Sequence, residues 1–479
     1  MSLVHGETEV GAAMAEQVDG GSTDRRGRAR PRHRNRARYA LQEFLLLPLL
    51  ITGVWLALAA GGIVLDRNAG LWGQAVRQAV AVVVSPQAAS MLLSTVTPGL
   101  LTVISIIFFV LLMAVQHQSS KYSPVVFDQF LRRKINQSFF GMFIGLTIYC
   151  LLILTLVPPG EAIISGTLTL LLSSATFILL LVFVYSTVDQ MRPSSTVWLI
   201  QEMALRARAG QRPLLARCRA QSQQEGAPSA EVIAERVGYL VHIDGRLLAE
   251  ALDRTGGAVE VELVVAMGDH VVPGATVAEV RGGSALQRHR LAETVLDALT
   301  LGRMRDIDRD AGYAVDQLSS MAWSATAVSG DLEGARVAVE TLHSLLADFC
   351  GPDIHPPAES FGGPLPLVYN DRVTDRIIDG LTGAIAASGI SGQHQTCSDV
   401  LIALSRALPR LEPSDQRTLL NRLQRVLPTM TRHVFTVELE DGFDLLRQSM
   451  HNADLYNDAR RIGQIKEQLH ERNRLASPD

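Results

Sequence analysis

Four uncharged apolar runs, each long enough to cross a bilayer, lie before residue 190, at residues 44–65, 91–115, 139–157 and 162–188. At a rise of about 1.5 Å per residue even the shortest reaches roughly 28 Å, close to the hydrocarbon thickness of a membrane. A buried helix of a water-soluble protein rarely needs such a run, and four in succession exclude that reading. The middle two are joined by a polar, basic segment, so together they form a membrane hairpin. Average composition hides this. A net charge of -4 and 19% charged residues would suit a soluble enzyme, but the charge is gathered outside the four runs.

Loop charge gives the expected orientation. Residues 116–138 carry Lys121, Arg132, Arg133 and Lys134 against the single acid Asp128, whereas residues 66–90 hold only Arg67 and Arg77 as bases. Basic residues retained on the cytoplasmic side put both termini and the hairpin loop inside a bacterial inner membrane. Residues 1–43 read as a disordered basic tail, with eight arginines between Arg25 and Arg38. They serve as a positive-inside anchor or meet anionic lipid headgroups. Without interleaved aromatic residues, no specific nucleic acid is expected.

The fold class expected is a mainly α integral membrane protein, with four transmembrane helices followed by a cytoplasmic α+β region. Its parts are a four-helix membrane domain at 44–190 and an amphipathic helix with linker at 191–230. A small strand-rich module follows at 231–282, then a helical segment at 291–350 and a helical domain at 367–470. Within that plan, residues 238–243, 258–266 and 276–280 alternate like strands, and residues 281–290 read as a linker. Residues 291–301, 311–323, 331–348, 370–388, 396–407, 413–426 and 437–455 repeat their apolar positions at three and four, as helices do. Four scattered cysteines with no CxxC pair suit a reducing compartment.

Inside the runs, Gly53, Ala57 and Gly61 recur at four-residue spacing, as do Gly141 and Gly145. Small residues along one stripe let helix backbones approach closely, either within the subunit or across a homo-oligomer seam. Pro98 should kink the second run and free a carbonyl, with Thr95, Thr97 and Thr102 near enough to compensate. Ser165, Thr169, Ser173 and Thr176 make a hydroxyl stripe that either lines a pore or bonds a neighbouring helix. No Asp, Glu, Lys, Arg or His falls within any run, which argues against an ion-coupled carrier but leaves a passive pore open.

Outside the runs no catalytic, cofactor or metal site emerges. Asp306, Asp308 and Asp310 alternate like calcium-loop ligands, but Ala311 and Gln317 stand where glycine and a bidentate acid are needed. A solvated helix N-terminus is the better account. His242, His270, His343 and His355 lack zinc spacing. The stretch from Gly268-Asp269 to Gly274 resembles the turn of biotinyl- and lipoyl-carrier domains. No lysine lies between Lys134 and Lys466 to carry such a cofactor.

The hairpin is more specific. Ser119-Ser120-Lys121-Tyr122-Ser123-Pro124, Phe130-Leu131-Arg132, Asn136-Gln137 and the Gly141 to Cys150 segment resemble a bacterial family of predicted membrane proteins, domain of unknown function 2254. Gly238-Tyr239, Ile243-Asp244, Gly268-Asp269, Val271-Val272-Pro273-Gly274 and Tyr369-Asn370-Asp371-Arg372 extend the likeness, over roughly residues 40–460. The resemblance implies an inner-membrane protein with a cytoplasmic domain, and no activity. Where relatives carry an Asn-Asp-Pro-containing turn, this chain reads from Trp323 to Asp331 as WSATAVSGD.

The functional expectation is a homo-oligomeric passive pore or a membrane sensor gated by its cytoplasmic domain. A polar cluster at the hairpin, Gln116, His117, Ser119, Ser120 and Tyr122, is its candidate site. The rivals are a scaffold or signalling adaptor without transport, and an enzyme using Asp306, Asp308, Asp310 and His343.

Overall fold

The computed structural model describes residues 33–67, 85–119, 134–158, 163–190, 193–350 and 358–476. Contacts divide the chain into two units, one of residues 1–97 and 131–170, the other of residues 98–130 and 171–479.

The apolar runs become helices α1 (His33–Arg67), α2 (Pro86–Ser119), α3 (Lys134–Leu156) and α4 (Ile163–Gln190). They contain the candidate spans Leu45–Arg67, Met91–Phe109, Gln137–Leu156 and Ile163–Ser186. The third is the most enclosed, half of it buried against 17% of the first. In the first unit α1 lies along α3, and glycine makes this possible. A Cβ on Gly141 would come 2.9 Å from both Ile51 Cβ and Pro48 Cα, and one on Gly145 would strike the Trp55 ring. Trp55 in turn meets Tyr149 edge to face at 5.8 Å. Gly53 and Gly61 have open space where a side chain would be, and with Ala57 they lie exposed. The two small-residue repeats therefore part company: one packs α1 on α3, the other faces outward.

Pro98 sits within the continuous helix α2. The nearby hydroxyls do not compensate it as expected. Thr95, Thr97 and Thr102 bond the carbonyls of Met91, Leu93 and Pro98, not the Ser94 carbonyl that the missing N–H would have served.

The second unit begins its C-terminal part with α5 (Pro193–Leu215), longer than the short amphipathic helix expected. Val197, Ile200, Met203, Ala204 and Ala207 form its buried stripe. Next come β1 (Ser229–Ile233), β2 (Gly238–Ile243), α6 (Gly245–Asp253), β3 (Val259–Leu263), β4 (His270–Val271) and β5 (Thr276–Gly282). The presumed linker at 281–290 instead ends β5 and opens α7 (Ala285–Ala298), whose Ser284 and Gln287 form a reciprocal capping box. The chain then turns straight into β6 (Leu299–Gly302), overlapping the end of the stretch 291–301 read as helix, because residues 299–302 pair antiparallel with β2. β7 (Leu367–Tyr369) joins β3 in parallel, giving sheets ordered β1-β5-β3-β7 and β4-β2-β6.

The helices are α8 (Ala311–Ser324), α9 (Leu332–Phe349), α10 (Val373–Ser391), α11 (His394–Ala407), α12 (Pro413–Met430), α13 (Val437–Asn452) and α14 (Tyr456–Ala476). They share one apolar core with α5, while the strands and α7 enclose a second. α8 ends in a π-helical turn, Ala325–Ser329, closed by Gly330 at φ 66° and by Asp331, which caps α9. This wide turn occupies the segment that differs from the family pattern, a geometry frequent at functional sites.

Candidate functional site

Two groups of polar residues stand out, one in each unit. In the membrane unit the informative residue is Asp66, one position beyond the run as read from sequence. It is fully buried, and its carboxylate accepts from the backbone N–H groups of Ile164 at 3.0 Å and Ser165 at 3.1 Å. The next residue, Arg67, donates to the Leu156 carbonyl at 2.6 Å. An anion thus caps the start of α4 and a cation caps the end of α3, each matching the sign of the helix terminus it meets. Around them Tyr149 donates to the Ser165 carbonyl at 3.2 Å, and Thr169 returns to the same carbonyl of its own helix. Ser165, Thr169, Ser173 and Thr176 are all buried. The hairpin cluster of Gln116, His117, Ser119, Ser120 and Tyr122 lies outside the residues whose side chains are described, as do Arg25 to Arg38.

The second group is built on the turn after β7. Asn370 accepts from the Arg372 N–H at 3.1 Å and Asp371 from the Val373 N–H at 3.2 Å, two side-chain turns that launch α10. Between them Arg372 is forced to φ 52°, a left-handed conformation costly for a residue with a Cβ. The turn sends neighbouring side chains in different directions. Asp371 forms a buried ion pair with Arg208 of α5, whose guanidinium also lies 5.2 Å from the Phe349 ring. Burial pulls the Arg208 pKa below its ordinary value. Arg372, half exposed, donates to the Val264 carbonyl at 3.3 Å and approaches Asp269 at 3.6 Å.

From Asp269 an alternating chain of charge runs through Arg376 (3.2 Å), Asp316 (2.7 Å), Arg305 and Asp310 (2.8 Å). It joins the Gly268-Asp269 turn to the N-terminal ends of α8 and α10. Gly268 is obligatory there: φ is +84°, and a Cβ would collide with Asp310 and come 2.6 Å from Arg305 Nε. Tyr369 completes the junction, its hydroxyl accepting from Met267 N–H at 3.1 Å; burial pushes its pKa up to about 12. Family elements scattered along the sequence, around Gly268, Tyr369 and Arg372, therefore meet in one place.

Asp310 corrects an expectation. It is the buried N-cap of α8 and the partner of Arg305, not a member of a solvated aspartate cluster. Asp308 is exposed, and His343 lies on α9, where burial, then Arg406 and Arg410, lower its pKa. Among the described residues no group of three or more metal-ligating side chains converges.

The junction opens into a groove of about 640 Å³ between α8 and α10. Asp316, Ser319, Ser320 and Trp323 of α8 form one wall, Arg372 at the N-cap of α10 with Asp375, Arg376 and Asp379 of that helix the other, and Arg422 of α12 closes the side. Its size falls within the range of small-molecule sites. Sequence reasoning missed the groove because its residues are polar helix positions that look like solvated faces one helix at a time. The left-handed Arg372 beside an Asn-Asp pair was the one local signal.

A family model described as predicted membrane protein (DUF2254) matches residues 42–408, which spans the membrane helices, the strand module and both long groove walls. No curated protein and no solved structure matches the chain.

Proposed function

The chain belongs to the DUF2254 family of predicted membrane proteins, and we propose that it is a membrane sensor, in which a cytoplasmic domain reads a small polar ligand and passes the reading to the spans. The observation that carries this is the adjacency of Asp371 and Arg372. One side chain holds α5, the helix that follows the fourth span; the other lines the groove. A ligand that draws Arg372 or Arg376 away from Asp269 and Asp316 perturbs the strained turn between them, and Asp371 carries that perturbation to Arg208. A ligand shifts such an equilibrium only by its differential affinity for two states, and ion pairs exchanged for ligand contacts supply that difference.

In this reading both termini and the hairpin loop face the cytoplasm of a bacterial inner membrane, as loop charge suggests. The protein acts as a homo-oligomer, with Gly53, Ala57 and Gly61 at the seam, since all three are exposed and a Cβ on either glycine would meet none of the described residues within 4 Å. A sensor is favoured over a passive pore because the hydroxyl stripe of α4 is buried, with Thr169 and Thr176 bonded to carbonyls of their own helix. A scaffold remains the second reading, favoured by exposed Val328, Leu332 and Ile390 near the π-helical turn.

Hydrogen exchange on the full chain in lipid nanodiscs tests the coupling without any ligand. Arg372→Ala should raise amide exchange along residues 193–215 as well as at the start of α10. Faster exchange at α10 with no change along α5 would defeat the sensor reading.

A further inference from the structure

The groove has an order that points to a class of ligand, and this step rests on the sensor reading above. Arg376 meets Asp316 at 2.7 Å, and a Cβ on Gly380 would come 3.0 Å from Ser319 Cβ, so α8 and α10 run the same way along the groove. The same register sets Gly383 level with Trp323. At about 1.5 Å per residue the charged end and the indole end are separated by roughly 10 Å.

At the indole end Trp323 is 41% exposed, and α10 opposes it with a glycine whose missing Cβ would meet nothing within 4 Å. An indole and bare helix backbone lining the same groove leave a slot suited to a flat ring. Midway stand the Ser320 hydroxyl and the Asp379 carboxylate, acceptors of the kind that hold sugar hydroxyls. Beside that carboxylate, Arg422 engages Asp379 through Nε at 2.8 Å, and its terminal nitrogens have no other partner among the described residues. Arg372 is only loosely held by Asp269, at 3.6 Å. Both are available to an anion, and arginine suits phosphate by its planar fork of donors. Asp375, with no ion-pair partner among the described residues, stands between Arg372 and Arg376 in sequence and opposes further negative charge.

We infer that the α8–α10 groove binds a nucleoside monophosphate, with the base against Trp323, the ribose at Ser320 and Asp379, and the phosphate on Arg422 and Arg372. Three arginines against three aspartates leave the lining with no cationic excess, which selects a single phosphate over a triphosphate.

The test is equilibrium binding of AMP and of GMP to the full chain in nanodiscs, with ATP, adenosine and inorganic phosphate as comparators. At least one monophosphate should bind saturably, and ATP, adenosine and phosphate should each bind about tenfold more weakly or worse. Base stacking on an aromatic ring has a worth consistent with a further loss of about tenfold on Trp323→Leu. Gly383→Leu fills the slot in open space, so it should abolish binding while leaving the melting temperature unchanged. No saturable binding of either monophosphate below about 1 mM, equal affinity for ATP or bare phosphate, or binding that survives both substitutions would overturn the assignment. Nucleotide failure with α5 still responding to Arg372→Ala would condemn only the ligand class, whereas an unresponsive α5 would condemn the sensor.

Discussion

Asp66 is the residue on which the membrane unit turns. Its buried carboxylate satisfies two N–H groups at the start of α4 that would otherwise face an apolar surrounding. Asp66→Ala removes a helix cap, a loss of about 1–2 kcal/mol, and should lower the melting temperature in detergent more than Asp66→Asn, which keeps an acceptor. Equal melting of the two variants would deny the capping role. His433 supplies a pH prediction. It is buried, with Nε2 3.2 Å from Ser388 Oγ, and desolvation lowers its pKa from the usual 6.5 to about 4. The folded state therefore prefers the neutral ring, so this contribution is complete above pH 6.5 and is lost as pH falls toward 4. Thermal melts between those limits should fall more steeply for the natural chain than for His433→Gln; parallel profiles would contradict the assignment. Sequence could not locate either residue, because Asp66 reads as the first loop residue and nothing near His433 foretells its burial.

At the scale of elements, periodicity identified helices well and partners poorly. Gly53, Ala57 and Gly61 share their spacing with Gly141 and Gly145, yet one group faces outward and the other receives Trp55 and Ile51. Spacing fixes a face; only the fold says what lies against it. This yields opposite expectations. Gly145→Leu should break the α1–α3 contact and reduce the folded yield in detergent, since the Trp55 ring already occupies the space. Gly53→Leu should leave folding intact and, if the seam is as proposed, convert oligomer to monomer in native mass spectrometry. Strands showed the reverse difficulty. β2, β3 and β5 were legible from alternation, whereas β6 and β7 are short and owe their existence to pairing with β2 and β3. Local pattern carries no record of such partners.

Across the whole molecule, the membrane character was written plainly in four apolar runs, and the family elements pointed to the right segments without revealing that they converge. The partners of the charged junction lie 60, 107 and 163 positions apart, for Asp316–Arg376, Asp269–Arg376 and Arg208–Asp371. No window of sequence holds both members. Breaking the buried Arg208–Asp371 pair by Asp371→Ala strands a cation and should cost about 3–5 kcal/mol, read as a lowered denaturation midpoint. A sensor of the kind proposed requires the groove and the helix leaving the membrane to move together. Fluorine NMR of the 5-fluorotryptophan-labelled chain in nanodiscs tests it most directly, because Trp323 reports the groove and exposed Trp198 reports α5. Arg372→Ala should shift both resonances, and Asp371→Asn, introduced with it, should remove the response of Trp198 alone. A Trp198 resonance indifferent to Arg372 while that of Trp323 moves would mean that the groove and α5 are uncoupled and would rule out the sensor.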